Sequence, residues 1–418
     1  RIDPTVGIDG PDPIVRLTPD AHFPESEDVL LPHWRGPKPY DPPERTPEMD
    51  RWPGQCYRSP WPLSEDLFLA AYSYDPLMGE PNCNLANMFG LYLVDAYGNK
   101  ELIYRDLNIS SLWPIPLRER EVKPVLPSKL DKDAANEGSY YLQDVYQTSE
   151  PLPENTKITH LRILQVLPKS TPVANQPTVG LANASPGKQV LGTVPVEPDG
   201  SAYFRAPAGI PVCFQALDET GQAVHIMRSA TYLQPGENAS CIGCHEPRLG
   251  TPPPLPTKQA ALRRNPSEIK PGPDGSKPFS YPILVQPVLD NHCIRCHSGE
   301  APKGPEGKDP IRLTGRPEGR YTESYNTLAP RVSFSAWGRG EFPHGNSEPT
   351  TQPGFFGAKG SPLMHQLLKG HQDVELNTDD LERLITWMDT NALFYGTFNV
   401  ENQAKQQQGE RISGPDIQ

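Results

Sequence analysis

Cys241-Ile242-Gly243-Cys244-His245 and, further along, Cys293-Ile294-Arg295-Cys296-His297 are two copies of one pattern, Cys-x-x-Cys-His. Two thiols three positions apart can reach both vinyl groups of one porphyrin, and the histidine that follows can lie against its iron. The pattern marks two covalently bound haem c groups. Cys241, Cys244, Cys293 and Cys296 are the attachment points, and His245 and His297 the proximal iron ligands. Paired Cys-x-x-Cys segments also build zinc sites, but a histidine directly after the second cysteine is not ribbon spacing. No zinc site is expected.

The rest of the composition fits a chain draped over other surfaces. Its 418 residues are too many for a single core, yet only 36% are hydrophobic and 52 are proline. A net charge of −12 argues against nucleic acid and anionic membrane as partners. No apolar run approaches the roughly 20 residues of a membrane span. Haem attachment of this kind takes place outside the bacterial cytoplasm, so an extracytoplasmic location is expected, in the periplasm or an equivalent compartment or secreted, with Arg1 a processed or truncated start. Cys56 and Cys83 could pair as a disulfide, whereas Cys213, between Val212 and Phe214, reads as a buried apolar filler.

Taken in order, residues 1–62 carry fourteen prolines and no usable period, the mark of an extended strap. His22 and His33 fall within it and read as surface histidines. Residues 63–156 open with Leu67–Tyr72, Gly90–Asp95 and Glu101–Tyr104, strands that resemble part of a β-propeller blade, followed by a proline-rich connector. One blade cannot cover its own faces, so other subunits or a longer precursor are expected to supply the remaining blades. Residues 157–250 alternate as a small β-sandwich, a middle domain that carries the first haem. Residues 251–278 form a proline-rich linker. Residues 279–400 carry helical signals around the second haem: a short helix into Cys293, a helix opened by Ser361-Pro362 and stopped at Gly370, and another opened at Thr378. Residues 401–418 read as a polar tail. The fold class expected is mainly β with a C-terminal α-helical cytochrome c-like domain and many proline-rich irregular segments.

Longer phrases point to a family. Gly192-Thr193-Val194-Pro195-Val196-Glu197-Pro198-Asp199-Gly200-Ser201-Ala202-Tyr203-Phe204, continued by Phe214–Asp218 and Tyr232–Glu237 into Cys241–Arg248, resembles the hydrazine synthase alpha subunit and its relatives, and so does the segment from Pro282 to His297. The resemblance runs over roughly residues 60 to 398. It implies a propeller, a middle β domain with the first haem and a C-terminal domain with the second, and makes this chain the last blade onward. In that family a tyrosine four residues past the first motif histidine takes the iron, and the histidine joins a zinc site. Here that position is Leu249, which cannot bind iron, and the upstream zinc ligands would fall before Arg1. His245 is therefore read as an ordinary proximal ligand, and hydrazine formation is not carried over.

The sixth ligands decide function, since an iron closed on both sides only passes electrons. For the second haem the resemblance implies bis-histidine ligation, with His371 the leading candidate and His365 the next. His292 adjoins Cys293 and is expected to point away from its own haem. For the first haem the candidates are His225 and Met227, and His344 could line a pocket. The leading expectation is an electron-transfer subunit of a larger complex, exchanging electrons with partner cytochromes. Its alternatives are a haem oxidoreductase whose open first iron acts on a small nitrogen or oxygen compound, and a structural haem protein of an assembly.

Overall fold

Strands organise both halves of the chain. The computed structural model describes all residues except 8–11, 16, 19, 21–55, 76–85, 123, 126, 128–132, 149, 174–175, 245–258, 300–309, 337–351 and 415–418. Two compact units result, Arg1–Leu126 and Pro127–Gln418.

The first unit is a four-stranded antiparallel meander, β1 (Cys56–Pro62), β2 (Leu67–Ser73), β3 (Gly90–Asp95) and β4 (Lys100–Tyr104), hydrogen-bonded in that order. The β3–β4 turn is tight because Asp95 Oδ1 accepts from the backbone N–H of both Tyr97 and Asn99, at 2.9 Å each, while Gly98 takes a left-handed φ of 95°. Phe68, Ala70, Tyr72, Tyr92 and Val94 form one buried face, and Cys56, Ala71, Met88 and Phe89 pack together in a second cluster. β1 lies inside the stretch expected to be an irregular strap. Its prolines hid it: at the sheet edge a proline breaks no ladder, and the strand absorbs Pro60 by a register shift between Arg58 and Trp61 with Ser59 at φ 51°. Most of the strap, with His22 and His33, lies outside the described residues, as does Cys83.

The second unit opens with the sandwich. β6 (Ile158–Val166), β7 (Lys188–Pro195), β9 (Val212–Asp218) and β10 (Ala223–Ile226) make one sheet in the order β10-β9-β6-β7; β5 (Glu137–Leu142), β8 (Ala202–Pro207) and β11 (Asn238–Cys241) make the other, in the order β11-β5-β8. Tyr140, Leu161, Ile163, Val194, Phe204, Val212 and Leu233 fill the space between them. β5 was expected to belong to the connector, yet it is the central strand of its sheet. The expected linker is also more than a linker. Thr193 and Lys270 exchange two backbone hydrogen bonds of 2.9 Å, and Ser267 bonds both Tyr203 and Arg205, so the proline-rich chain covers the outer edges of β7 and β8. At Gly192 (φ 143°) a Cβ would sit 2.3 Å from the Lys270 carbonyl oxygen, which is why that position is glycine.

Among the described residues eight short helices follow: α1 (Tyr281–Leu284), α2 (Gln286–His292), α3 (Ile294–His297), α4 (Glu323–Leu328), α5 (Gly357–Gly360), α6 (Pro362–Leu368), α7 (Thr378–Asp389) and α8 (Val400–Gln407). α6 begins after Ser361 and ends at Gly370 (φ 88°), as its sequence signals indicate. The cap of α7 is Asn377, one residue before the expected start, with its side chain accepting from Asp380 N. Tyr281, Tyr325, Trp387 and Phe394 build an aromatic core. α8 corrects the reading of residues 401–418 as a simple polar tail. Gln403 and Gln406 are buried, and Gln406 donates to the Phe279 carbonyl while accepting from Gly396 N. Glutamine suits that place because its amide satisfies both a donor and an acceptor of irregular backbone.

Sandwich and helices are joined by a buried ion pair. Arg162 of β6 reaches Asp389 at the end of α7 at 2.9 Å with almost no exposure of either side chain. Gln215 Oε1 accepts from the same guanidinium, and the Asp389 carboxylate also accepts from the backbone N–H of Ala223 and Ala358. A buried pair is tolerable only when its remaining valences are filled in this way.

Candidate functional site

The two Cys-x-x-Cys segments sit in different secondary structure. Cys241 is the last residue of β11, paired in parallel with Leu142 of β5. The chain then turns into a loop held by Gln143 N donating to Cys241 O at 2.9 Å and Asp144 N to Ile242 O at 3.1 Å. Gly243 lies so close to Gln147 that a Cβ would be 2.2 Å from its carbonyl oxygen. Cys241 and Cys244 face a cavity of about 540 Å³ walled by Tyr140, Leu161, Phe204 and Phe214 from the sandwich core. His225 and Met227, neighbours on and just past β10, line the same cavity, with His225 buried. His245 and Leu249 lie outside the described residues. The tyrosines of this wall, Tyr140 and Tyr141, carry no motif that could have nominated them. Burial pushes the Tyr140 phenol up to about 12.

Cys293 and Cys296, by contrast, lie on helical backbone. Cys293 is the residue between α2 and α3, and His297 N donates to Cys293 O at 3.0 Å, so both sulfurs and the imidazole project from one helical turn. They face a smaller cavity of about 100 Å³ walled by Leu289, Leu313, Leu328, Leu363 and Leu384. Across it stands His371, on the loop after α6. That loop is strained: Gly370 is followed by Gln372 (φ 52°) and Asp373 (φ 59°), two non-glycine residues in the left-handed region.

The rings of His297 and His371 are parallel to within 9°, with centroids 6.0 Å apart. That is too far for ring-on-ring contact. Two imidazole nitrogens, each about 2 Å from a shared metal, set their ring centres roughly this far apart. The Gln366 amide anchors His371 Nδ1 at 3.1 Å. One nitrogen of the His371 ring is thus held by the protein, as in metal-bound histidines. Burial, reinforced by the nearby His371, pushes His297 below its ordinary value, so it is neutral near pH 7 and able to ligate. His365 turns elsewhere: its Nε2 meets the Lys359 carbonyl at 2.7 Å, and it is not part of this cavity wall. His292 lines the cavity while its Nε2 is engaged by Asp380 at 2.9 Å. His344 lies outside the described residues.

The donor sets fit covalent haem at both places. Each cavity is lined by a thiol pair and by side chains able to ligate iron. Among the described residues no helix is long and apolar enough to cross a membrane.

Comparisons with known proteins bear on the fold. Residues 156–246 match the family described as the hydrazine synthase alpha subunit middle domain. Among solved structures, hydrazine synthase of Kuenenia stuttgartiensis superposes with a TM-score of 0.51 at 19% identity, over 87% of this chain and 56% of that one. The chain therefore spans little more than half of that relative, and the likeness is one of fold. No curated protein matches the sequence.

Proposed function

Starting from a chain that is hydrazine synthase alpha-like in its middle domain and fold, we propose that it is an extracytoplasmic dihaem c-type cytochrome, the electron-transfer subunit of a larger bacterial complex. The observation that carries this reading is the parallel pair His297 and His371, 6.0 Å apart across the second cavity. Bound haem supplies one-electron redox chemistry at each site. The residues of the chain tether it and choose what else reaches the metal. On this reading Cys293 and Cys296 hold the second haem, His297 is its proximal ligand and His371 its distal one, which closes the iron to substrates. Cys241, Cys244 and His245 hold the first, and His225 and Met227, which line the same cavity, are its candidate further ligands.

The second unit then combines a haem-bearing sandwich with a cytochrome c-like helical domain, and the buried Arg162–Asp389 pair keeps the two at fixed separation. The four-stranded sheet of the first unit is one propeller blade. Both faces of a single blade need neighbours, which other subunits supply. A second reading, an oxidoreductase with an open first iron, is supported by the larger first cavity.

Low-temperature electron paramagnetic resonance of the oxidised protein separates the two readings. Two low-spin signals are expected, and His371→Ala should turn one of them high-spin. A high-spin iron in the unaltered protein would reject the closed two-haem reading, and an unchanged spectrum in His371→Ala would reject that ligand.

A further inference from the structure

Between the sandwich and the helices lies a third cavity, of about 260 Å³, that the haem reading does not use. Its lining holds two donors that the protein leaves under-used. The Lys188 ammonium, at the start of β7, donates to the Thr390 carbonyl at 3.3 Å and has no carboxylate partner among the described residues. An ammonium carries three donors, so this one is under-used. Ser185, only 6% exposed, also lines the cavity, and its Oγ has no hydrogen-bond partner among the described residues. The buried Cys213 thiol lies on the same wall, and exposed Arg228 at the rim. Asp389 reaches the cavity too, but its oxygens are taken by Arg162, Ala223 N and Ala358 N.

We propose that this cavity binds a small oxyanion, held by Lys188 Nζ and Ser185 Oγ. An acceptor-rich anion answers what the lining lacks, because an ammonium and a hydroxyl can both donate and neither has an adequate protein acceptor. Burial pushes the Lys188 ammonium below its ordinary value, the response of a cation still short of a counter-charge. Met227 and Ser229 line both this cavity and the one beside Cys241 and Cys244, so a bound anion sits next to the first candidate haem cavity.

Isothermal titration calorimetry of the full haem-loaded chain with sodium formate, at constant ionic strength, tests the site, with the Soret band recorded in parallel. Saturable binding of one formate per chain without a Soret shift is expected. Lys188→Met should weaken it about tenfold or more, while Lys188→Arg should keep it. Lys188→Met should also raise the thermal midpoint of the anion-free protein, because it removes an uncompensated, partly buried charge. Ser185→Ala, a change that leaves packing intact, should weaken formate several-fold and serves if Lys188→Met does not fold. Absence of saturable heat, affinity unchanged in the folded variants, or heat that tracks a Soret shift and so reports an anion on iron, would each overturn the assignment. The Soret record keeps this failure distinct from failure of the haem reading.

Discussion

The two Cys-x-x-Cys-His regions share a pentapeptide and almost nothing else. In the first, the leading cysteine ends a strand and the second lies in a loop pinned against Gln147. In the second, both cysteines and the histidine ride on helical backbone. The far walls differ more. His371 faces His297 from a strained loop across a cavity of about 100 Å³, whereas the first cavity, of about 540 Å³, offers His225 and Met227 from a sheet. A short motif fixes the chemistry of attachment, because attachment is local. On the haem reading, the other side of each iron would be chosen by segments far away in sequence, so near-identical motifs can serve unequal sites.

The sharpest way to break this comparison is to remove one site at a time. Cys241→Ala with Cys244→Ala should leave one covalent haem, and so should Cys293→Ala with Cys296→Ala, each read by intact mass and haem content. If either pair of changes removes both haems, the two cavities are not independent. A subtler test uses the one position at which the pentapeptides differ. Gly243→Ala places a Cβ within 2.2 Å of the Gln147 carbonyl oxygen and should cost about 1–3 kcal/mol with reduced loading of the first site. Arg295→Ala, the equivalent change on the helix, should be nearly silent in stability, and equal effects of the two would erase the structural distinction.

The smallest effect concerns the join between the two regions. Asp218 at the end of β9 pairs with Lys359 of α5. Burial raises its carboxyl, but hydrogen bonds from Lys359 and Thr220 outweigh that and hold it below the usual range. A folded value below the unfolded one means that the contribution is complete above about pH 4 and is lost as pH falls through the folded value. Asp218→Asn should therefore flatten the acid limb of stability, measured as denaturant midpoint against pH. An unchanged limb would place the acid sensitivity elsewhere.

Much of this layout was legible in the sequence where the signal is local. The strands from Leu67 to Tyr104, the start of α6 at Ser361-Pro362 and its stop at Gly370 follow from alternation, capping and glycine conformation. β1, β5 and α8 were not legible for the complementary reason. Pro60 and Pro62 are harmless only on an edge, Glu137–Leu142 becomes a central strand only between β8 and β11, and Gln406 is buried only because Phe279 and Gly396 need its amide. Tyr140 and Lys188 were likewise invisible as cavity residues, since nothing about a single tyrosine or lysine says what it faces.

By itself, then, the sequence determined the two thiol pairs with their following histidines, since that pattern is a local spacing that depends on nothing distant. The tertiary structure alone decided that His371, and not His365, stands opposite His297, and that His225 and Met227 border the first cavity. The physical reason is that what stands opposite a motif is a matter of distance and direction across a cavity. Those are set by the packing of the sandwich and the helices around the buried Arg162–Asp389 pair.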